Sequence, residues 1–257
     1  MTDVSSDDRV AAALRAISLI DLTDLSDDHA HTGIEALCAR ALAHGTAAVC
    51  VWPEYVSRCS SELSGSDVRV ATVVNFPSGE RPLSQVAAMT HGALDDGADD
   101  IDVVLPYRAF LAGDLATAAT MISKVTSAVH APRIVKVILE TGALGDADTI
   151  RAAADLAIEN GADFVKTSTG KIPAGASLDA ATAMLAAISA ADRSVGIKPS
   201  GGIRTFEEAL QYIGLADSVM GEGWATPETF RFGASGLLES LLAIVAGGPD
   251  VEGTSAY

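Results

Sequence analysis

The sequence predicts an α/β fold: a single-domain (β/α)8 barrel with a short N-terminal arm or helix and a flexible C-terminal tail. Three observations carry that expectation. Eight short runs are apolar on both faces, the mark of parallel strands covered on both sides. Alanine-rich stretches with helical periodicity separate the runs. A chain of 257 residues, 49% hydrophobic and only 20% charged, is long and apolar enough to build one barrel core.

The elements follow in order. The first dozen residues read as the extra helix or arm, and ISLIDLT (17–23) as the first strand. The next strands are expected in AAVCVWP (47–53), VRVATVVNF (68–76), DDIDVVLP (99–106) and RIVKVILET (133–141). ADFVKTST (162–169), SVGIKPSG (194–201) and DSVMGEG (217–223) complete the set. LSQVAAMTHGALDDG and ADTIRAAADLAIENG are two of the intervening helices, with Gly97 and Gly161 placed where helices end. Residues 1–246 are read as the barrel domain and 247–257, GGPDVEGTSAY, as the tail. An open doubly wound sheet is the alternative. It would need a glycine-rich dinucleotide fingerprint after the first strand, and DLTDLSDD is not one.

Bulk composition narrows the partners. With 17 basic against 34 acidic residues the net charge is −17, which disfavours nucleic acid and anionic membrane surfaces. No apolar run reaches membrane-spanning length. The three cysteines, Cys38, Cys50 and Cys59, form no CxxC pair, and the N-terminus lacks a signal-peptide pattern, so the cytoplasm is expected. His29 and His31 form an HxH pair, but residues two apart on a helix do not face one another, and no metal is expected.

Chemistry is read from the polar residues inside aliphatic strands. Asp102, Lys136, Lys166 and Lys198 fall in four consecutive strands. Each is costly to bury, so they must pair with one another or serve a reaction. Glu140 shares strand parity with Lys136 and is expected on the same face. Lys166 and Lys198 end adjacent strands, and two neighbouring cations gain nothing structurally. At about 6–8 Å and an effective dielectric near 20 their repulsion is about 2–3 kcal/mol, which lowers one pKa by roughly 2 units. One lysine would then be a nucleophilic amine and the other a fixed cation, with Asp102 holding the cation and relaying a proton.

The loops after these strands suggest an anion site. TSTGK, PSGGIRT and RFGASG (231–236) offer backbone N–H groups at Gly170, Gly201, Gly202 and Gly233 and the hydroxyl of Ser235, with Lys171 and Arg204 as charge. RFGASG is expected to open the last helix. Asp21, Thr23, Cys50, Lys136 and Thr167 are expected to border the pocket.

Taken together, IDLTDL, AAVCVWPEYV, VATVVNFPSGE, IDVVLPYRAFLAGD, VKVILETGAL, DFVKTSTGK, GIKPSGGIRT and RFGAS span nearly the whole chain in order. In these motifs the chain resembles the deoxyribose-phosphate aldolase family of class I aldolases. The resemblance implies reversible cleavage of 2-deoxy-D-ribose 5-phosphate to acetaldehyde and D-glyceraldehyde 3-phosphate, without a cofactor. It implies Lys166 as the Schiff-base lysine, Lys198 as its activating partner and Asp102 as the proton-relay acid. It implies phosphate binding at Gly170, Lys171, Gly201, Gly202, Gly233 and Ser235, and a homodimer. In longer members a terminal tyrosine reaches the site, a role that would fall to Tyr257. Many members carry two serines after RFGA, whereas here Ser235 is followed by Gly236. Another class I aldolase with a different sugar phosphate, and a non-catalytic sugar-phosphate binder, are the alternatives.

Overall fold

Valine- and isoleucine-rich segments such as IDVV and IVKVI disfavour helix and favour a pleated, fully covered surface. In the computed structural model, which describes residues 6–26 and 31–253, they form eight parallel strands. The strands are β1 (Ile20–Asp24), β2 (Ala48–Val51), β3 (Arg69–Val74), β4 (Asp100–Val104), β5 (Ile134–Ile138), β6 (Phe164–Lys166), β7 (Gly196–Lys198) and β8 (Phe232–Ala234). Their spatial order is β7-β6-β5-β4-β3-β2-β1-β8. The ends meet through bridges from Ile197 to Phe230 and from Ser200 to Gly233, which close a barrel.

Helices alternate with the strands. They are α1 (Ser6–Ser18), α2 (His31–His44), α3 (Val56–Glu62), α4 (Leu83–Asp95), α5 (Tyr107–Leu111), α6 (Leu115–Thr126), α7 (Thr141–Leu144), α8 (Ala147–Glu159), α9 (Leu178–Ala190), α10 (Phe206–Met220) and α11 (Leu237–Val245). Polar caps start several of them: Asp114, Asp146 and Ser177 accept from backbone N–H groups of α6, α8 and α9. Thr205 and Glu208 form a capping box on α10. Gly97 and Gly161 follow α4 and α8 with φ of 100° and 93°, a left-handed conformation that favours glycine. The expected N-terminal helix is α1. Arg15 ties it to α10 through Asp217 at 2.9 Å.

The eighth strand is a correction. DSVMGEG is not a strand: its first half is the end of α10, where Asp217 accepts from Arg15 and from the Ala225 N–H. The strand is Phe232–Ala234, and RFGA therefore belongs to the barrel wall rather than to the last helix. Unlike the equally short β6 and β7, β8 contains no β-branched residue to mark it as a strand.

The tail expected from Gly247 onward is held in its first part. The Asp250 carboxylate accepts from the backbone N–H groups of Phe206 and Glu207 at 3.0 and 3.1 Å and from Ser240 Oγ at 2.7 Å. Tyr257 and His29 lie outside the described residues. Among the described residues no helix is long and apolar enough to cross a membrane, and the three cysteines are free, buried thiols.

Register decides what fills the barrel. Residues paired across parallel strands share a face. Asp21 pairs with Ala48 and Gly233; Asp102 pairs with Val73 and Lys136; Ile138 pairs with Lys166, and Lys166 with Lys198. The inward face thus collects Asp21, Asp100, Asp102, Lys136, Lys166 and Lys198, all buried. A Cβ on Gly196 would lie 2.3 Å from the Phe164 ring, so the glycine makes room for that ring.

Candidate active site

Three lysines converge on one carboxylate at the upper half of the barrel. Asp102 Oδ2 accepts from Lys166 Nζ at 2.9 Å and from Lys198 Nζ at 2.8 Å, while Oδ1 accepts from Lys136 at 3.1 Å. The Lys166 and Lys198 nitrogens can therefore be no farther apart than twice 2.9 Å, closer than the spacing assumed from sequence. Lys198 also lies 2.5 Å from Asp21 Oδ2, an ion pair without hydrogen-bond alignment. Lys136 donates to Asp100 at 2.6 Å.

Glu140, expected on the same face as Lys136, is hydrogen-bonded to Thr169 and not to that lysine. β5 ends at Ile138, and Glu140 takes a left-handed φ of 58°, which breaks the two-residue alternation. Its carboxylate instead accepts from the Thr169 hydroxyl at 2.5 Å and the Thr169 N–H at 3.3 Å. Thr169 Oγ1 in turn accepts from the Lys171 N–H at 3.1 Å. Glu140 thus braces the loop that follows β6.

Two charged residues of the interior escaped sequence reading. Asp100 shares parity with Asp102 but opens its strand and resembles a loop residue. Arg231 was hidden by the misplaced eighth strand. Its guanidinium donates to Asp21 Oδ1 at 2.7 Å, with Asp100 Oδ2 3.6 Å away.

The electrostatics separate the two lysines. Burial pushes the Lys166 ammonium down; Asp102 pulls it back and Lys198 adds to the depression, with a net value below the ordinary one. Burial acts on Lys198 too, but Asp102 and Asp21 together outweigh it and hold the ammonium well above its ordinary value. Burial opposes ionisation of Asp102, yet Lys136, Lys166 and Lys198 keep it well below the usual carboxylate range. Lys136, held by Asp100, Asp102 and Asp21 against its own burial, is also raised. Asp21 is lowered, because Lys198, Lys136 and Arg231 outweigh burial. Burial raises the Cys50 thiol, so it stands neutral beside the lysines.

These shifts predict how stability varies with pH. Asp21 and Asp102 have depressed folded-state values, so their contribution is present above about pH 4 and is lost as pH falls through the folded values. Lys136 and Lys198 are raised, so theirs is present below about pH 10.4 and is lost as pH rises through the folded values. Melting temperature is expected to fall below the acid limit and above the alkaline one, and to climb towards about pH 10.4 between them because the depressed Lys166 opposes folding while it is protonated, measured by calorimetry across pH.

The remaining candidates lie in β1, in β8 and in the loops after β6, β7 and β8. Thr23 in β1 donates to the Asp21 carbonyl at 2.8 Å. Thr167 Oγ1 donates to the Ser200 carbonyl at 3.1 Å and accepts from the Ser200 N–H at 2.9 Å, linking the loops after β6 and β7. Gly170, Gly201 and Gly202 adopt φ of 77°, 86° and 89°. The Lys171 ammonium stands 5.9 Å from the Trp52 ring centroid. Ser235 faces a depression shared with Thr23, Asp24 and Arg40. Arg204 turns the other way: its guanidinium pairs with Glu252 at 2.9 Å, and its carbonyl accepts from the Gly253 N–H at 3.1 Å. The Gly233 N–H donates to the Pro199 carbonyl at 2.9 Å, so it serves barrel closure.

Gly233 has a further role. A Cβ there would lie 2.2 Å from Ser200 Oγ and 3.1 Å from Lys198 Cε. Gly233→Ala is expected to displace Lys198 from Asp102, with a loss of about 1–3 kcal/mol in stability and about 100-fold in turnover. Thermal melts and steady-state kinetics check both.

Chemically, the arrangement presents a depressed lysine amine beside an anchored ammonium, with a permanent anion between them. It suits imine formation with a carbonyl compound. A curated deoxyribose-phosphate aldolase of Agrobacterium fabrum is 49% identical over 253 residues, covering 97% of each chain. The tetrameric deoxyribose phosphate aldolase structure of Aeropyrum pernix is 25% identical with a TM-score of 0.75, covering 93% of this chain and 97% of that one. A solved structure described as the aldolase QR15 is 27% identical with a TM-score of 0.78, covering 90% of this chain and 96% of that one. The model of the DeoC/LacD family aldolases matches residues 15–238, from α1 to the start of α11 and thus across all eight strands, and this chain belongs to that family.

Proposed function

We propose that this chain is a 2-deoxy-D-ribose-5-phosphate aldolase in which Lys166 is the Schiff-base nucleophile. The observation that carries the reading is Asp102 Oδ2 shared by Lys166 and Lys198 in the buried interior of the barrel. Burial lowers the Lys166 ammonium below its ordinary value, while Asp102 and Asp21 hold Lys198 well above its own.

The free amine of Lys166 attacks C1 of the open-chain aldehyde, and loss of water leaves an iminium. Asp102 supplies its counter-charge. A water positioned by Asp102 and Lys198 takes the C3 hydroxyl proton. The C2–C3 bond breaks, its electron pair moves into the enamine, and D-glyceraldehyde 3-phosphate departs. Protonation at C2 and hydrolysis then release acetaldehyde and restore Lys166. Asp102 is held too acidic to keep a proton between cycles and Lys198 keeps its own, so the two order the water that carries the C3 hydroxyl proton to C2 of the enamine. The iminium is the electron sink, and the scheme calls for no metal or organic cofactor.

Gly170, Lys171, Gly201, Gly202 and Ser235 are proposed to take the substrate phosphate at the C-terminal end of the barrel. Residues 1–246 are read as one catalytic domain. The protein is read as cytoplasmic and as a homodimer, the tetramer of the Aeropyrum relative being the other assembly that sedimentation would reveal. The direct test is release of acetaldehyde from 2-deoxyribose 5-phosphate with and without a chelator. Equal turnover in both is expected. Turnover of ketone donors with no acetaldehyde released would contradict the substrate assignment.

A further inference from the structure

The charges inside the barrel do not cancel. Asp21, Asp100 and Asp102 are fully buried, and so, to within 3% exposure, are Lys136, Lys166, Lys198 and Arg231. Three anions face four cations. With Lys136, Lys198 and Arg231 protonated these seven groups are neutral; Arg69 on Asp100 and the buried Glu140 add one charge of each sign, so a proton on Lys166 is still the uncompensated one. Arg69 reaches in from the base of β3, 26% exposed, and donates to Asp100 Oδ1 at 2.7 Å. Arg231 holds Asp21 Oδ1, and Asp100 holds Lys136.

We propose that Asp100 and Arg231 are positioning residues whose opposite, buried charges set the protonation of Lys166 without touching substrate. The inference rests on Lys166 being the nucleophile. Arginine cannot shed its proton in a protein interior, so Arg231 is a permanent cation. Without it, the carboxylate charge it neutralises is left to hold a proton on Lys166. Without Asp100, an anion is withdrawn and the same proton leaves more easily. In low dielectric such effects extend past direct contact. The other groups around Lys166 are Asp102 from β4, Lys136 and Glu140 from β5 and its end, Lys198 from β7, Asp21 from β1, Cys50 from β2 and Lys171 from the following loop. All of them are common to every variant below and cancel in the comparison.

The test is the pH dependence of reductive trapping of acetaldehyde on Lys166 with cyanoborohydride, followed by peptide mass spectrometry. The rate rises with the free-amine fraction. A unit charge removed at about 10 Å and an effective dielectric near 20 moves the midpoint by about one pH unit. Arg231→Gln is expected to move it up by about that much, Asp100→Asn to move it down, and the double variant to return it to the original position. Arg231→Lys keeps the charge and the midpoint. Arg69→Gln, at the partly exposed base of the barrel, moves it up less and guards against misfolding of the interior variants. Shifts of one sign in both single variants, no shift in any variant that folds, or a double variant that fails to return would overturn the proposal. Absence of a Lys166 adduct in the unsubstituted protein would instead overturn the nucleophile assignment.

Discussion

Lys166→Met is expected to lower carbon–carbon cleavage by on the order of 10⁴-fold or more and, at the same time, to stabilise the protein. The catalytic half follows from the proposed covalency: without the Lys166 amine no iminium forms to take up the electron pair of the breaking bond. Lys198 cannot substitute, because Asp102 and Asp21 hold its proton. The stability half follows from linkage. A lysine whose folded value is depressed opposes folding at neutral pH, and that penalty fades as pH rises towards the unfolded value of about 10.4. Methionine fills much of the same volume without charge, and Asp102 keeps Lys136 and Lys198 as partners. A gain of about 0.5–2 kcal/mol is expected, each kcal/mol raising the melting temperature by about 2–4 °C. Calorimetry and a turnover assay on one preparation measure both. An inactive variant that melts lower than the parent would show that Lys166 is a structural ion-pair residue.

Asp102→Asn is expected to damage both properties. It keeps the side-chain shape but removes the anion on which three ammonium groups converge. Breaking a buried pair by removing one partner costs about 3–5 kcal/mol, because charges are left uncompensated. Turnover should fall on the order of 10³-fold, since the iminium loses its counter-charge and the relay its anchor. Adding Lys136→Met removes one of the stranded cations. The pair of substitutions should regain part of the melting temperature and none of the activity. Recovery of activity along with stability would mean that Asp102 acts only through folding.

How much of this was legible depends on where each residue sits along its strand. Lys166, Lys198 and Asp102 interrupt otherwise aliphatic runs, and a charge in such a run must have a reason. Seven strands announced themselves in the same way. β8 did not, because Phe232–Ala234 has no β-branched residue, whereas the equally short β6 and β7 carry Val165 and Ile197, and α10 ends in a stretch that mimics a strand. That single misplacement concealed Arg231. Asp100 was concealed by position, since an aspartate opening a strand usually caps or solvates it. Here the register brings it inside, opposite Ala71 and Ile134. Glu140 shows the limit of parity: alternation holds only while the backbone stays extended, and its left-handed φ ends it. The closeness of the two lysines was also out of reach, because it depends on a shared carboxylate oxygen and not on strand spacing alone.

The most direct measurement is covalent capture of the intermediate. The protein would be incubated with 2-deoxyribose 5-phosphate, reduced with borohydride, digested, and mapped by mass spectrometry. A two-carbon or five-carbon adduct on Lys166 alone, absent from Lys166→Met, is the expected result. An adduct on Lys198 would reverse the roles of the two lysines, and no adduct on any lysine would contradict imine catalysis in this barrel.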